Sequence, residues 1–159
     1  MKKIILILLV LISFKSYCQN FDTNPIEYMD SLVLKNTQPG DIEKILPSGY
    51  NVIESTYKYI RAEKKINNIS HYIEFIYKNS NLVKVVAVLN ETNESNAIND
   101  INNLPYQKKG TSCGINPENP SEKSKSIMYC RDDNMTMAEI VIWNNGSIEL
   151  YVREYRLYD

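Results

Sequence analysis

A single histidine in 159 residues is the first constraint on function. A metal site or an activated nucleophile needs partners, and the sequence places none close to His71, which reads instead as a partly exposed strand-end residue. No excess of one charge is present either. The 18 basic and 19 acidic residues leave a formal −1, which argues against a nucleic-acid module with its clustered positive surface. Phosphate-binding glycine-rich loops are absent, and Asp132-Asp133-Asn134 lacks the glycine and the later glutamate of a calcium loop, so it reads as a turn. These absences predict no cofactor, no metal and no enzyme. Tryptophan occurs once, at Trp143, whereas tyrosine occurs 12 times.

Long apolar runs are missing from all but the first residues. Lys2-Lys3 form a basic start, Ile4 to Ile12 an uninterrupted apolar stretch, and Ser16-Tyr17-Cys18 puts small residues at −3 and −1 of a cut before Gln19. The stretch is shorter than the roughly 20 residues that cross a bilayer. Residues 1–18 are therefore expected to be a signal peptide and 19–159 a single exported α+β domain, periplasmic or secreted. Lipidation of Cys18 is the competing reading, and it alone would bring the chain to a membrane. In an oxidising compartment the two remaining thiols, Cys113 and Cys130, are expected to pair as a disulfide.

Along the chain, Asn24-Pro25-Ile26-Glu27 has the form of a helix start, with Asn24 as cap. Ile26, Met29, Leu32 and Val33 then share one helical face. Asp41 opens a short second helix that Pro47 stops. After Lys64 to Ser70, a polar connection, His71 to Asn90 reads as an antiparallel hairpin around Asn79-Ser80-Asn81. Thr92, Asn93 and Glu94 open another helix, with Ile98, Ile101 and Leu104 inward. Residues 106–125 read as a long loop, and strands follow at 126–131, 135–143 and 147–156.

The hairpin layout returns 65 positions later, so that Glu74 maps to Glu139, Phe75 to Ile140 and Val85 to Leu150. The expected fold is an antiparallel sheet of about six strands with helices on one face. Its two pseudo-repeated helix-plus-three-strand halves span about 25–90 and 93–156. Alternation puts Ile73, Phe75, Tyr77, Val83, Val85 and Ala87 on the core face.

Gly40-Asp41-Ile42-Glu43-Lys44-Ile45-Leu46-Pro47, the tyrosine-rich strand after it and the Phe75–Val85 hairpin resemble the unit of the β-lactamase-inhibitor-protein-like superfamily. The likeness is good over residues 25–90 and thinner over 93–156, where no Gly-led short helix occurs. It implies an exported protein that binds another protein on a sheet face.

The opposite face of the alternation carries Glu74, Glu139, Tyr151 and Arg153 among apolar residues. Glu74 and Glu139 would meet if the halves lie side by side, and a salt-bridged face suits them better than acid–base chemistry. Aromatic residues and arginine are the side chains interfaces favour, so Trp143, Tyr151, Arg153 and Tyr155 are the expected anchors for a protein partner. The expected function is a protein-binding module of the cell envelope, of the kind inhibitors and immunity proteins represent. An accessory lipoprotein of envelope assembly is the alternative, followed by a small-ligand carrier or enzyme.

Overall fold

Two asparagine-led turns set the pitch of the first half. Asn67 and Asn68 have φ of 50° and 64°, and Asn79 and Ser80 have 52° and 64°. Paired positive φ values make type I′ turns, whose twist matches that of the flanking strands, and asparagine tolerates that region. The first turn joins β2 (Tyr59–Ile66) to β3 (Ile69–Lys78), and the second joins β3 to β4 (Asn81–Leu89). What read as a polar connection over Lys64 to Ser70 is thus mostly strand.

The computed structural model describes residues 21–89, 94–115, 119–133 and 135–155. The signal segment, Cys18, Gln19, and the helix-opening Thr92 and Asn93 lie outside them. The remaining strands are β1 (Asn51–Ser55), β5 (Tyr106–Ile115), β6 (Lys123–Arg131), β7 (Thr136–Trp143) and β8 (Ile148–Glu154). All join one antiparallel sheet of eight strands in the order β1-β2-β3-β4-β8-β7-β6-β5. The expectation of about six strands in three-strand halves is therefore corrected to two four-stranded meanders. The additions are β1 and β5, the two edges. An edge strand packs on one side only, and β5 is polar along most of its length, so it lacks the apolar alternation that marks an inner strand.

The halves meet where β4 pairs with β8. Val85 faces Val152 and Ala87 faces Leu150, while Val86 faces Tyr151. The 65-residue offset maps Val86 onto Tyr151 (151 − 86 = 65), so the pseudo-twofold axis passes through that pair.

Helix α1 (Pro25–Leu34) lies across β4, β8 and β7, and α3 (Glu94–Asn102) packs on α1, while the short α2 (Ile42–Ile45) leads into the sheet. Ile26, Met29 and Leu32 of α1 meet Ile73, Phe75, Val85, Ile140, Leu150 and Val152 in one core, each at most 2% exposed. One register detail differs from simple alternation. A bulge near Val83 pairs Tyr77 with Leu82, so Leu82 joins the core cluster where Val83 was expected.

Three polar devices hold α1 in place. At its start Asn24 makes no side-chain cap bond; the Asp100 carboxylate of α3 accepts from the Ile26 and Glu27 amides instead, at 2.6 and 3.1 Å. At its end Asn36 takes a left-handed φ of 49°, and Thr37 and Asn36 donate back to Leu32 and Val33 in a Schellman arrangement. Midway, buried Asp30 accepts from Tyr106 Oη at 2.7 Å, from Thr136 Oγ1 at 2.6 Å and from the Arg131 guanidinium. One carboxylate thus ties α1 to β5, β6 and β7.

Burial raises the Asp100 pKa above its ordinary value, and the two amide bonds pull the other way. A carboxyl that binds its proton more tightly when folded loses stabilising influence as pH rises through its folded pKa. Asp100→Asn should therefore gain on the parent protein as pH rises above the ordinary carboxylate range in urea unfolding. Two curves that stay parallel would show that Asp100 titrates as it does in the unfolded chain.

The disulfide does not form. Cys113 faces Lys125 across the ladder while Cys130 faces Gln107, and both thiols are free. Five residues of β6 separate those positions, roughly 16 Å at strand rise, whereas a disulfide needs Cα atoms within about 7 Å. Alternation also puts the two side chains on opposite faces. Cysteine parity carried the expectation, and parity has no geometry.

Candidate functional site

Alternation along β2, β3, β4, β8 and β7 sends one set of side chains into the core and the other onto a face that carries none of the three helices. Cross-strand pairing then lines the outward set into rows. One row runs Arg61, Glu74, Val86, Tyr151, Glu139, Met128. Glu74 and Glu139 therefore do not meet; they flank the pseudo-twofold pair symmetrically, one strand out on either side. A second row runs Tyr59, Ile76, Lys84, Arg153, Met137.

The charges on this face are paired and partly sunk. Glu74 accepts from Tyr59 Oη at 3.0 Å and lies 3.4 Å from Arg61 Nε. Glu139 accepts from Ser126 Oγ and lies 3.9 Å from an Arg153 nitrogen. The Arg153 and Glu139 side chains are only 17% and 24% exposed. Val86 and Val141 are buried although no helix covers them, so the long polar side chains around them fold down over the sheet. Cations also stack on rings: Arg61 is 4.0 Å from the Tyr72 centroid and Lys84 Nζ is 4.7 Å from that of Tyr151.

Electrostatics follow from this packing. Burial, then the neighbouring Arg153, pushes the Lys84 pKa down, and Glu139, Glu74 and Glu149 offset part of that. Burial and the hydrogen bond to Glu74 push Tyr59 up to about 12. Tyr151 is raised by burial first and then by its hydrogen bond to Glu149. Among the described residues no cluster of three or more potential ligands could hold a metal ion.

Of the four expected anchors, the structure brings two together. Tyr151 and Arg153 stand two residues apart on β8 beside Lys84 and Glu139. Trp143 ends β7, four residues beyond Glu139, the partner of Tyr151, which is roughly 13 Å along the strand. Its indole N–H is covered and makes no hydrogen bond among the described residues, so the ring offers hydrocarbon surface rather than a donor. Tyr155 lies just past the end of β8 and is 42% exposed. The anchors thus form a strip roughly 26 Å long rather than one cluster. Arg61 and Tyr72 belong to the same face, and the alternation of TYKYIRAE is the signal that finds Arg61.

Two chemistry-bearing features resolve into structure. His71 is buried at 6% exposure on the helix side, against the expectation of a partly exposed strand end. Against the expectation that the chain holds no Gly-x-Ser-x-Gly, the run Gly110-Thr111-Ser112-Cys113-Gly114 has that spacing of a nucleophile elbow. It lies inside the edge strand β5, and among the described residues no helix follows to form an elbow. His71, on β3, is five strands away, roughly 24 Å, and faces the other side of the sheet from Ser112. The two make no catalytic pair.

Beside the start of α1, a cleft of about 250 Å³ is lined by Phe21, Pro25, Tyr50, Lys64, His71 and Ala97 among others. That is below the roughly 300–1,000 Å³ of ordinary small-molecule sites, and two further clefts, about 310 Å³ beside Leu34 and Met135 and about 340 Å³ beside Gly40 and Ile60, lie at its lower end. Compared with protein-family patterns, curated proteins and solved structures, the chain matches none.

Proposed function

We propose that this chain is an exported protein-binding module of the cell envelope, in the manner of an inhibitor or immunity protein, working through the helix-free face of its sheet. One observation carries this reading. An eight-stranded sheet, with one face taken by the helices, presents on the other a field of tyrosines and paired charges centred on Tyr151, Arg153 and Lys84. Seven strand spacings by the 26 Å anchor strip give roughly 900 Å², close to the about 800 Å² that each partner contributes to a standard interface. A small-ligand carrier fits less well, because the three clefts, about 250 to 340 Å³, sit at or below the lower end of the small-molecule range. Export rests on the basic and apolar pattern of residues 2–18. The accessory-lipoprotein reading rests on Cys18 alone, and mass spectrometry of the mature N-terminus separates the two: acylated Cys18 for the lipoprotein, free or cyclised Gln19 for the soluble binder.

Crosslinked capture from the native envelope should yield a protein that the unaltered chain binds reversibly. Tyr151→Ala or Trp143→Ala should then weaken that complex by about 2 kcal/mol or more while the melting temperature stays nearly constant. Normal affinity in both variants would move the site off this face.

A further inference from the structure

The two edges of the sheet are built differently. β1 has five residues, a bulge between Val52 and Glu54 and an exposed glutamate, all devices that stop another strand from adding. β5 has ten residues, and its irregularity is confined to Lys108–Gly110. Beyond it, Gly110 to Gly114 is a run of small side chains without charge or proline, paired to β6 on one side only. Such a run is an open template of backbone donors and acceptors.

Charge is segregated on the same ribbon. Lys108, Lys109, Lys123 and Lys125 are all exposed, and none forms an ion pair among the described residues. Neither β5 nor β6 contains an acid, and Arg131 is already engaged by Asp30 and Asp133. Four cations with no ion pair among the described residues, beside one open edge in a chain of net −1, call for a negative partner. A second copy would bring two lysine-rich ribbons together. An anionic surface would use the charge but leave the strand edge idle.

We propose that β5 is a docking edge for an extended acidic segment of a partner protein, which joins the sheet as an added strand. Backbone pairing along Gly110–Gly114 supplies the register, and Lys108 and Lys109 at one flank and Lys123, opposite Ile115, at the other select carboxylates. This edge is separate from the Tyr151 face and does not depend on it.

The test uses the isotope-labelled chain and a capped peptide of about ten residues, enough to span β5, alternating glutamate and valine. Its comparisons are the same peptide with lysine for glutamate, the same peptide with a central proline, anionic lipid vesicles, and the chain alone at rising concentration. The glutamate peptide should bind at least about tenfold more tightly than the lysine or proline forms, shifting the amide resonances of Gly110–Gly114. Lys108→Glu with Lys109→Glu should reverse the preference between the glutamate and lysine peptides. The proposal is overturned if the proline form binds equally, if the shifts fall on β1 or the Tyr151 face, or if vesicles bind while the peptide does not. Self-association through β5 in the chain alone would likewise replace the acidic segment with a second copy.

Discussion

Asp30→Ala is expected to lower unfolding stability by about 3–5 kcal/mol, the usual consequence of removing one member of a buried ion pair. Asp30 is 3% exposed and receives three side-chain donors, from Tyr106, Arg131 and Thr136. Without it the Arg131 charge loses its buried counter-ion and two hydroxyls lose an acceptor, so the loss exceeds that of an ordinary hydrogen bond. The effect should also be spatially selective. Asp30 links α1 to β5, β6 and β7, so amide exchange should accelerate in those strands before it does in β2 and β3. Replacing Asp30 and Arg131 together by leucine and methionine should recover much of the loss, because no buried charge then remains unpaired. Urea denaturation measures all three proteins. A cost under about 1 kcal/mol for Asp30→Ala would mean that water replaces the network, as at an exposed pair.

Phe75→Ala is expected to cost about 3–5 kcal/mol as well, by a different route. Phe75 is fully buried on β3, paired with Ile60 on one side and Val85 on the other. Truncation removes a large apolar side chain and leaves a void that paired strands on both sides cannot close. Ile76→Ala is the informative comparison. Ile76 is the next residue on the same strand but points to the helix-free face and is only partly buried, so its loss should be clearly smaller. A larger loss at Ile76 than at Phe75 would show that the register of β3 is off by one, since such a slip exchanges the faces.

The parts of the fold legible in the sequence are those where one physical signal dominates. The period-two pattern of HYIEFIYK placed Ile73, Phe75 and Tyr77 inward because that strand is buried on one face only. The helical spacing of Ile26, Met29 and Leu32 worked for the same reason. The 65-residue repeat gives the pseudo-twofold pair only together with the pairing of β4 and β8, and the strand number drawn from it was too low. β5 was read as loop because an edge strand of lysine, glycine, serine and threonine has no apolar period, and only its pairing with β6 defines it. Asp100 went unnoticed as the cap of α1 because cap rules are local, and this cap arrives from 74 residues away. Val83 lost its expected core place to a bulge, which one inserted residue creates without a sequence signature of its own. At the candidate site, alternation found Tyr151 and Arg153 as face residues. The ion pairs that hold them depend on strand order, and no single strand's sequence contains that order.

The claim that the helix-free face meets a partner is tested most directly by placing a photoreactive phenylalanine analogue at single positions and irradiating the native envelope. Tyr151 on β8 and Leu34 at the end of α1, which is 38% exposed, are the informative pair. A discrete adduct of one defined mass should form from position 151 and not from position 34, and it should disappear when unlabelled protein is added in excess. An adduct of the same mass formed from position 34, with none from 151, would place the working surface on the helical side and contradict the account.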